Sequence, residues 1–329
     1  GMAYGRLSLL DHQVQRMDQL KGAYRRNWYL NKVRMQKVTD FIVSLRALNI
    51  APILLKGSAM LGLYYQDYGV RLFRDIAFLI PYEKISEINT VLKNKGYKAT
   101  PERDSSDAAL QAKLKINQEQ GFSLDDILYL DLHVSLPESC LGKIPFSHFS
   151  NNAIEVKLNN ESFYAVDPTA LLFHTIVHGM QHYTAAHIRW AVDAVTIINS
   201  DKYPIDWPEF IKLAVLSNRV SMVSMTLMYL METYHCNIPT EMIDALKREK
   251  VEKIDIRLHK LFSSKYVSSS MIFLISKWYH VKAMAKHNGS RSTLVNFMRY
   301  LQLNWDCAFW SVPFLFIKKS ISNLFRRVL

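Results

Sequence analysis

Three short segments hold the residues of this chain best suited to chemistry. Leu54-Leu55-Lys56-Gly57-Ser58-Ala59-Met60 reads as the end of a strand, a turn of small residues and the start of a helix. Arg71-Leu72-Phe73-Arg74 then leads into Asp75-Ile76-Ala77-Phe78-Leu79-Ile80, an apolar strand with an acid at its first position. The third segment, Leu128-Tyr129-Leu130-Asp131-Leu132-His133-Val134, sets an acid and an imidazole two residues apart. Side chains alternate along a strand, so Asp131 and His133 are expected on one face. Carboxylates on a sheet face can share a divalent cation, and backbone N–H groups at a helix start attract anions such as phosphate. A Lys-Gly-Ser turn or a leading Asp is common by itself; the order and spacing of all three segments narrow the choice.

Other groups leave more than one reading open. Lys56 is suited to neutralising a phosphate and equally to pairing with a carboxylate. Arg71 and Arg74 bracket the approach to Asp75, where an Arg can grip phosphate bidentately or form a structural ion pair. His174, His178 and His182 recur at helical spacing, with His187 beyond. Two such imidazoles can bind zinc, but no Glu stands between His174 and His178, so the zinc-protease pattern is missing. A packed face with hydrogen-bonded imidazoles is the alternative. Trp190 and Asp193 are expected to serve the core and helix pairing. Nucleophilic serine chemistry has no support, because no Gly-x-Ser-x-Gly occurs, and no cysteine has an activating partner nearby in sequence.

The 329 residues exceed what one small domain needs, so two units are expected. A content of 49% hydrophobic and 21% charged residues excludes a disordered chain. Cys140, Cys236 and Cys307 are far apart and make no metal or disulfide pattern, which points to a reducing, cytoplasmic setting. Gly1 before Met2 reads as a cloning remnant, with Met2 the expected native start. Arg6, Asp11, Arg16 and Asp18 interrupt the apolar positions of the N-terminal region, so no secretory signal is expected there. The net charge of +12 favours acidic partners without selecting one; part of it falls on a helix face that water can solvate, at Arg25, Arg26, Lys32, Arg34 and Lys37. The apolar run from Ala308 to Ile317 is about half the roughly 20 residues that span a bilayer, so no transmembrane segment is expected. Lys318, Lys319, Arg326 and Arg327 follow it, which leaves weak contact with an anionic surface as one reading and a terminal helix docked on the core as the other.

Positioning these groups falls to the surrounding elements. Ser8 to Leu48 has helical periodicity, with a stripe of Val33, Val38, Phe41, Ile42 and Leu45, broken by Asn49 to Pro52. After the first strand, a short helix fits Ser58 to Tyr65, and a second helix fits Glu83 to Lys95, stopped by Gly96. Tyr97 to Thr100 is expected as an edge strand. Leu110 to Asn117 and Ile127 to Val134 are expected as a strand pair across a polar linker containing Gly121. A hairpin is expected at residues 154–158 and 162–166, turning at Asn159-Asn160. Asp167-Pro168 has the chemistry of a helix start, and the remainder reads helical. The expected division is an N-terminal helical segment (1–50), an α/β domain (51–166) and an α-helical domain (167–329).

The Lys56-Gly57-Ser58 turn, Tyr64-Tyr65, Arg71, the Asp75 strand and Asp131-Leu132-His133 together resemble the nucleotidyltransferase superfamily, and within it the family of uncharacterised nucleotidyltransferases. The helix with His174 and His178, running on to Trp190 and Asp193, resembles that family's helical half. The likeness covers about residues 30 to 240. It implies an α+β fold: a nucleotidyltransferase-like mixed β-sheet with flanking helices, followed by an α-helical domain. It also implies transfer of a nucleotidyl group from a nucleoside triphosphate to a hydroxyl acceptor, which is a small molecule, a protein or RNA. By the same likeness Asp75 and Asp131 are the catalytic and metal-holding acids. Lys56, Gly57, Ser58, Arg71, His133 and His178 become nucleotide-binding residues, and Mg²⁺ or Mn²⁺ the cofactor. Where the family has Asp-x-Asp, this chain has Asp75-Ile76-Ala77, so one ligand is missing and the cation is expected to bind weakly unless it is compensated. Three outcomes stay open: a loop acid (Asp67, Glu83, Asp125 or Asp126) reaches in, the nucleotide brings its own Mg²⁺, or the fold binds a ligand without turnover.

Overall fold

The computed structural model describes residues 2–9, 16–100, 106–136, 144–181, 188–262, 269–287, 292–305 and 307–315. Its first half is a mixed sheet of seven strands: β1 (Ile53–Leu55), β2 (Asp75–Leu79), β3 (Lys98–Thr100), β4 (Glu119–Leu124), β5 (Leu128–His133), β6 (Ile154–Leu158) and β7 (Glu161–Ala165). The spatial order is β3-β4-β5-β2-β1-β7-β6. β2 runs parallel to β5 and β1 parallel to β7, and the other neighbours are antiparallel. β1 and β2 are almost wholly buried, as expected of apolar runs covered on both faces. Asn159 and Asn160 both adopt positive φ and turn the β6–β7 hairpin at the expected place.

The helices are α1 (Met2–Leu9), α2 (Met17–Arg46), α3 (Lys56–Met60), α4 (Ile85–Asn94), α5 (Asp107–Asn117), α6 (Phe146–Asn151), α7 (Pro168–Gln181), α8 (Arg189–Ile198), α9 (Trp207–Leu216), α10 (Val220–Tyr234), α11 (Thr240–Arg248), α12 (Lys253–Phe262), α13 (Ser269–His287) and α14 (Thr293–Trp305). A π-helical turn, Leu61–Tyr65, prolongs α3. The chain is thus an α+β nucleotidyltransferase-like mixed sheet with flanking helices, followed by a helical region. One hydrophobic core runs from Met35 on α2 through the sheet to Leu246 on α11. A separate apolar cluster joins α13 and α14 through Val281, Phe297, Tyr300 and Leu301, with Ile116 of α5 against it.

Residues 110–117 correct one expectation: they form helix α5, and the strand pairing with β5 is Glu119–Leu124, with Gly121 inside it. The Ser106 hydroxyl accepts from the Ala109 N–H and caps α5. Leu110 and Leu114, one helical turn apart, are its buried contacts. Left-handed Gln118 ends it, and Asp125 and Asp126, both at positive φ, form the tight turn into β5.

Helix α2 fixes the approach to β2. Asn31 is fully buried on its inner face, and its amide donates to the carbonyls of Tyr68 and Arg71, both at 2.7 Å. Its side-chain oxygen accepts from the Phe73 N–H at 3.3 Å. Arg34, one turn on, donates to the carbonyls of Phe73 at 2.8 Å and Ile127 at 3.0 Å. The segment that delivers Asp75 is therefore tied to α2 at four places.

Candidate active site

Pairing across the three central strands sets the site. Leu55 of β1 lies opposite Ala77 of β2, and Ala77 lies opposite Asp131 of β5, so the three share one row and one sheet face. Asp75, two residues before Ala77, is on that face as well. The face continues to His133 and, on β4, to Glu119, which pairs with His133 in register. Glu119 was not apparent from the sequence, because its strand begins where a polar linker was expected.

Lys56 follows Leu55 at one end of this row, and its ammonium ends at the other. Nζ lies 3.3 Å from Asp131 Oδ2 and 3.8 Å from Asp75 Oδ2. Its backbone has φ 51°, a left-handed conformation uncommon for a residue with a side chain. The following residues hold it there. The Ser58 hydroxyl, fully buried, donates to the Leu55 carbonyl at 2.9 Å. A Cβ at Gly57 would lie 2.0 Å from Arg71 Nη1, so only glycine fits beneath that guanidinium. Gly57 and Ser58 are both buried.

The charges act strongly on one another. Burial pushes the Asp131 carboxyl up to about 6, Lys56 opposes this, and Asp75 adds to it through its charge and a shared hydrogen bond. Burial disfavours the Lys56 ammonium, but Asp131, Asp75 and Glu119 outweigh it and raise its pKa. Side-chain exposure is 37% for Asp75 and 33% for Asp131, so both carboxylates keep an open side, whereas Lys56 keeps 17%.

Arg71 is turned toward the helical region. Its Nε donates to both carboxylate oxygens of Asp193 on α8, at 3.0 and 2.9 Å, and Nη2 lies 2.7 Å from Oδ2. The Tyr65 hydroxyl donates to the same carboxylate at 2.7 Å. Asp193 therefore joins α8 to the segment before β2, and Trp190 packs partly buried on the core.

The imidazoles of His133, His174 and His178 form a chain, with ring centres 6.5 and 5.6 Å apart. Neither ring nitrogen of His174 and not Nε2 of His133 has a hydrogen-bond partner among the described residues, while Nδ1 of His133 lies 3.7 Å from Glu119. Burial, then the Lys56 charge, pushes His174 down to about 3, and His133 moves in the same direction. Below pH 6.5 the unfolded chain therefore takes up protons that the folded chain refuses, and stability falls as the pH drops toward 3. Each such imidazole contributes roughly 1.4 kcal/mol per pH unit. Urea unfolding of His174→Leu is expected to lose about 2–3 kcal/mol less than wild type between pH 6.5 and 4.5. An unchanged loss would contradict a neutral His174 in the fold. His182 and His187 lie outside the described residues, as does the basic segment from Lys318 to Arg327.

The loop acids are paired or placed elsewhere. Asp67 accepts from the Tyr24 hydroxyl and the Gly69 N–H. Asp125 pairs with Lys37 at 2.8 Å, Asp126 shares its turn, and Glu83 lies past the far end of β2 from Asp75. Among the described residues, no three His, Cys, Asp or Glu side chains converge on a metal position. Two carboxylates, each with an open side, do suit Mg²⁺, which is commonly held by one or two carboxylates and its substrate's phosphates. The chemistry of Asp75 and Asp131 thus fits a divalent cation completed by ligands from outside the chain.

Residues 1–235 match the model of the family described as uncharacterised nucleotidyltransferase. The chain belongs to this family. No curated protein matches it. The nucleotidyltransferase match takes in the sheet, the acids, Lys56, Asp193 and the histidine helix α7. It ends before α13 and α14, where burial pushes Lys277 down to about 8 against the Glu119 charge, and where burial and that same charge push the Tyr300 hydroxyl up. No helix among the described residues is long and apolar enough to cross a membrane.

Proposed function

We propose that this chain moves a nucleotidyl group from a nucleoside triphosphate to a hydroxyl-bearing acceptor at the Asp75–Asp131 face, the acceptor oxygen bonding to the α-phosphorus as the α–β anhydride bond breaks and pyrophosphate leaves. The observation that carries the reading is that Asp75 and Asp131 stand on adjacent parallel strands and one sheet face, two residues apart in register and both open on one side, in a chain of the nucleotidyltransferase family. Asp75 and Asp131 would hold Mg²⁺ or Mn²⁺, which when bound neutralises charge developing on phosphate oxygens. Asp131, deeper in the sheet, takes the acceptor's proton on a carboxylate oxygen. Lys56 neutralises a phosphate oxygen. His133, two residues beyond Asp131 on β5, and His178 on α7 would act as further donors, and Gly57 with Ser58 shapes the turn that carries Lys56. Arg71 acts through Asp193 and Gly57 as a positioning residue.

A second reading, nucleotide binding without turnover, draws on Ala77, which removes the acid that would stand between Asp75 and Asp131 in the register. Equilibrium titration with each of the four nucleoside triphosphates in Mg²⁺ tests what the two readings share. Wild type is expected to bind at least one of them, and Asp75→Asn to bind it about tenfold or more weakly, in line with the loss of a charged partner. Equal affinity of the two proteins, or no binding at all, would remove nucleotides from this site.

A further inference from the structure

We infer that Lys56 is a tethered counter-ion that holds the cation position between Asp75 and Asp131 in the resting protein and gives it up only to a cation arriving with phosphate. The inference rests on the nucleotide reading above for its ligand, and on geometry for its mechanism. The ammonium lies within 3.8 Å of both carboxylates that would receive a divalent ion. An ion alone must displace it, and the displaced ammonium then remains beside a larger positive charge with no new partner. A nucleotide alone meets two carboxylates, and the ammonium paired with both is already engaged. Supplied together, they exchange partners: the carboxylates turn to the metal and the ammonium to a phosphate oxygen.

The local structure suits such an exchange. Ala77 carries only a methyl group, so no side chain from β2 stands between β1 and β5 in the row that Lys56 spans. The lysine backbone is held on both sides, by Leu55 in the sheet and by Gly57 beneath Arg71. Its left-handed conformation persists only because those neighbours impose it. The flexible side chain is then the part able to move. Ala77 in place of the usual acid thus has a consequence: one lysine opposes two remaining acids, and metal and nucleotide depend on each other for entry.

Binding alone tests this, with Mn²⁺ followed by electron paramagnetic resonance and a non-hydrolysable ATP analogue followed by calorimetry. In wild type, each ligand is expected to tighten the other by about tenfold or more, with the same factor in both directions. Lys56→Met, checked for folding by its melting transition, is expected to bind Mn²⁺ alone about tenfold or more tightly than wild type and to lose most of the coupling. Lys56→Gln serves if the Met variant fails to fold. Wild type that binds Mn²⁺ alone as tightly as a folded Lys56 variant would overturn the inference, as would independent binding of the two ligands. If Mn²⁺ behaves as expected and the analogue binds nowhere, the counter-ion stands and the nucleotide reading falls.

Discussion

Arg71→Ala is expected to destabilise the chain by about 3–5 kcal/mol, the cost of stripping a buried ion pair of one partner. The Asp193 side chain is only 4% exposed and receives both Arg71 and the Tyr65 hydroxyl, so losing the guanidinium leaves a buried carboxylate with a single donor. The same change empties the space above Gly57, so the turn bearing Lys56 loosens together with the contact to α8. Replacing both partners, as Arg71→Met with Asp193→Leu, is expected to recover most of the loss, because an apolar pair leaves no charge stranded. Denaturant unfolding of the single and double variants measures both effects. A loss below about 1 kcal/mol for Arg71→Ala would mean that the pair behaves like an exposed surface bridge.

Asp131→Asn is expected to have the largest effect on activity. An amide of the same shape keeps the strand and its register, yet it cannot accept the acceptor's proton and binds cations poorly. Loss of a positioned general base slows a reaction by about 10²- to 10⁴-fold, and loss of a metal ligand adds to that. Asp75→Asn removes the ligand role and leaves Asp131 in place, so its defect is expected mainly in binding. If Asp131→Asn impaired binding and left turnover of the bound nucleotide intact, the proton-acceptor role would belong to another group.

Much of the sheet was legible because its central strands are short apolar runs between clear breakers: Ile53-Leu54-Leu55 after Pro52, Ile76 to Ile80 before Pro81, and the hairpin at Asn159-Asn160. The resemblance pointed to Asp75 and Asp131, and the sheet sets both on one face with Ala77 opposite Asp131. Other parts were hidden for physical reasons. Leu110 and Leu114 suit a strand or a helix, and the Ser106 cap decides for the helix only once its hydrogen bond is seen. That misreading concealed β4, and with it Glu119. Arg71 and Asp193 are 122 residues apart, and no local pattern states that an arginine ahead of the acidic strand is used by a distant helix. Lys56 had two partners in prospect, and its left-handed backbone, which the residue type disfavours, is what aims it at the carboxylates. Lys277 and Tyr300, on which the Glu119 charge acts, come from helices beyond the matched family region, where the sequence offered no motif at all.

The most direct measurement is transfer itself. The purified chain is incubated with Mg²⁺, the four nucleoside triphosphates labelled at the α-phosphate, and a cell extract as the source of acceptors, beside Asp75→Asn and Asp131→Asn. Wild type is expected to place label covalently on an acceptor, and both variants to lose it. Label that both variants transfer as well as wild type, or that no protein transfers although wild type binds nucleotide, would contradict catalysis at the Asp75–Asp131 pair.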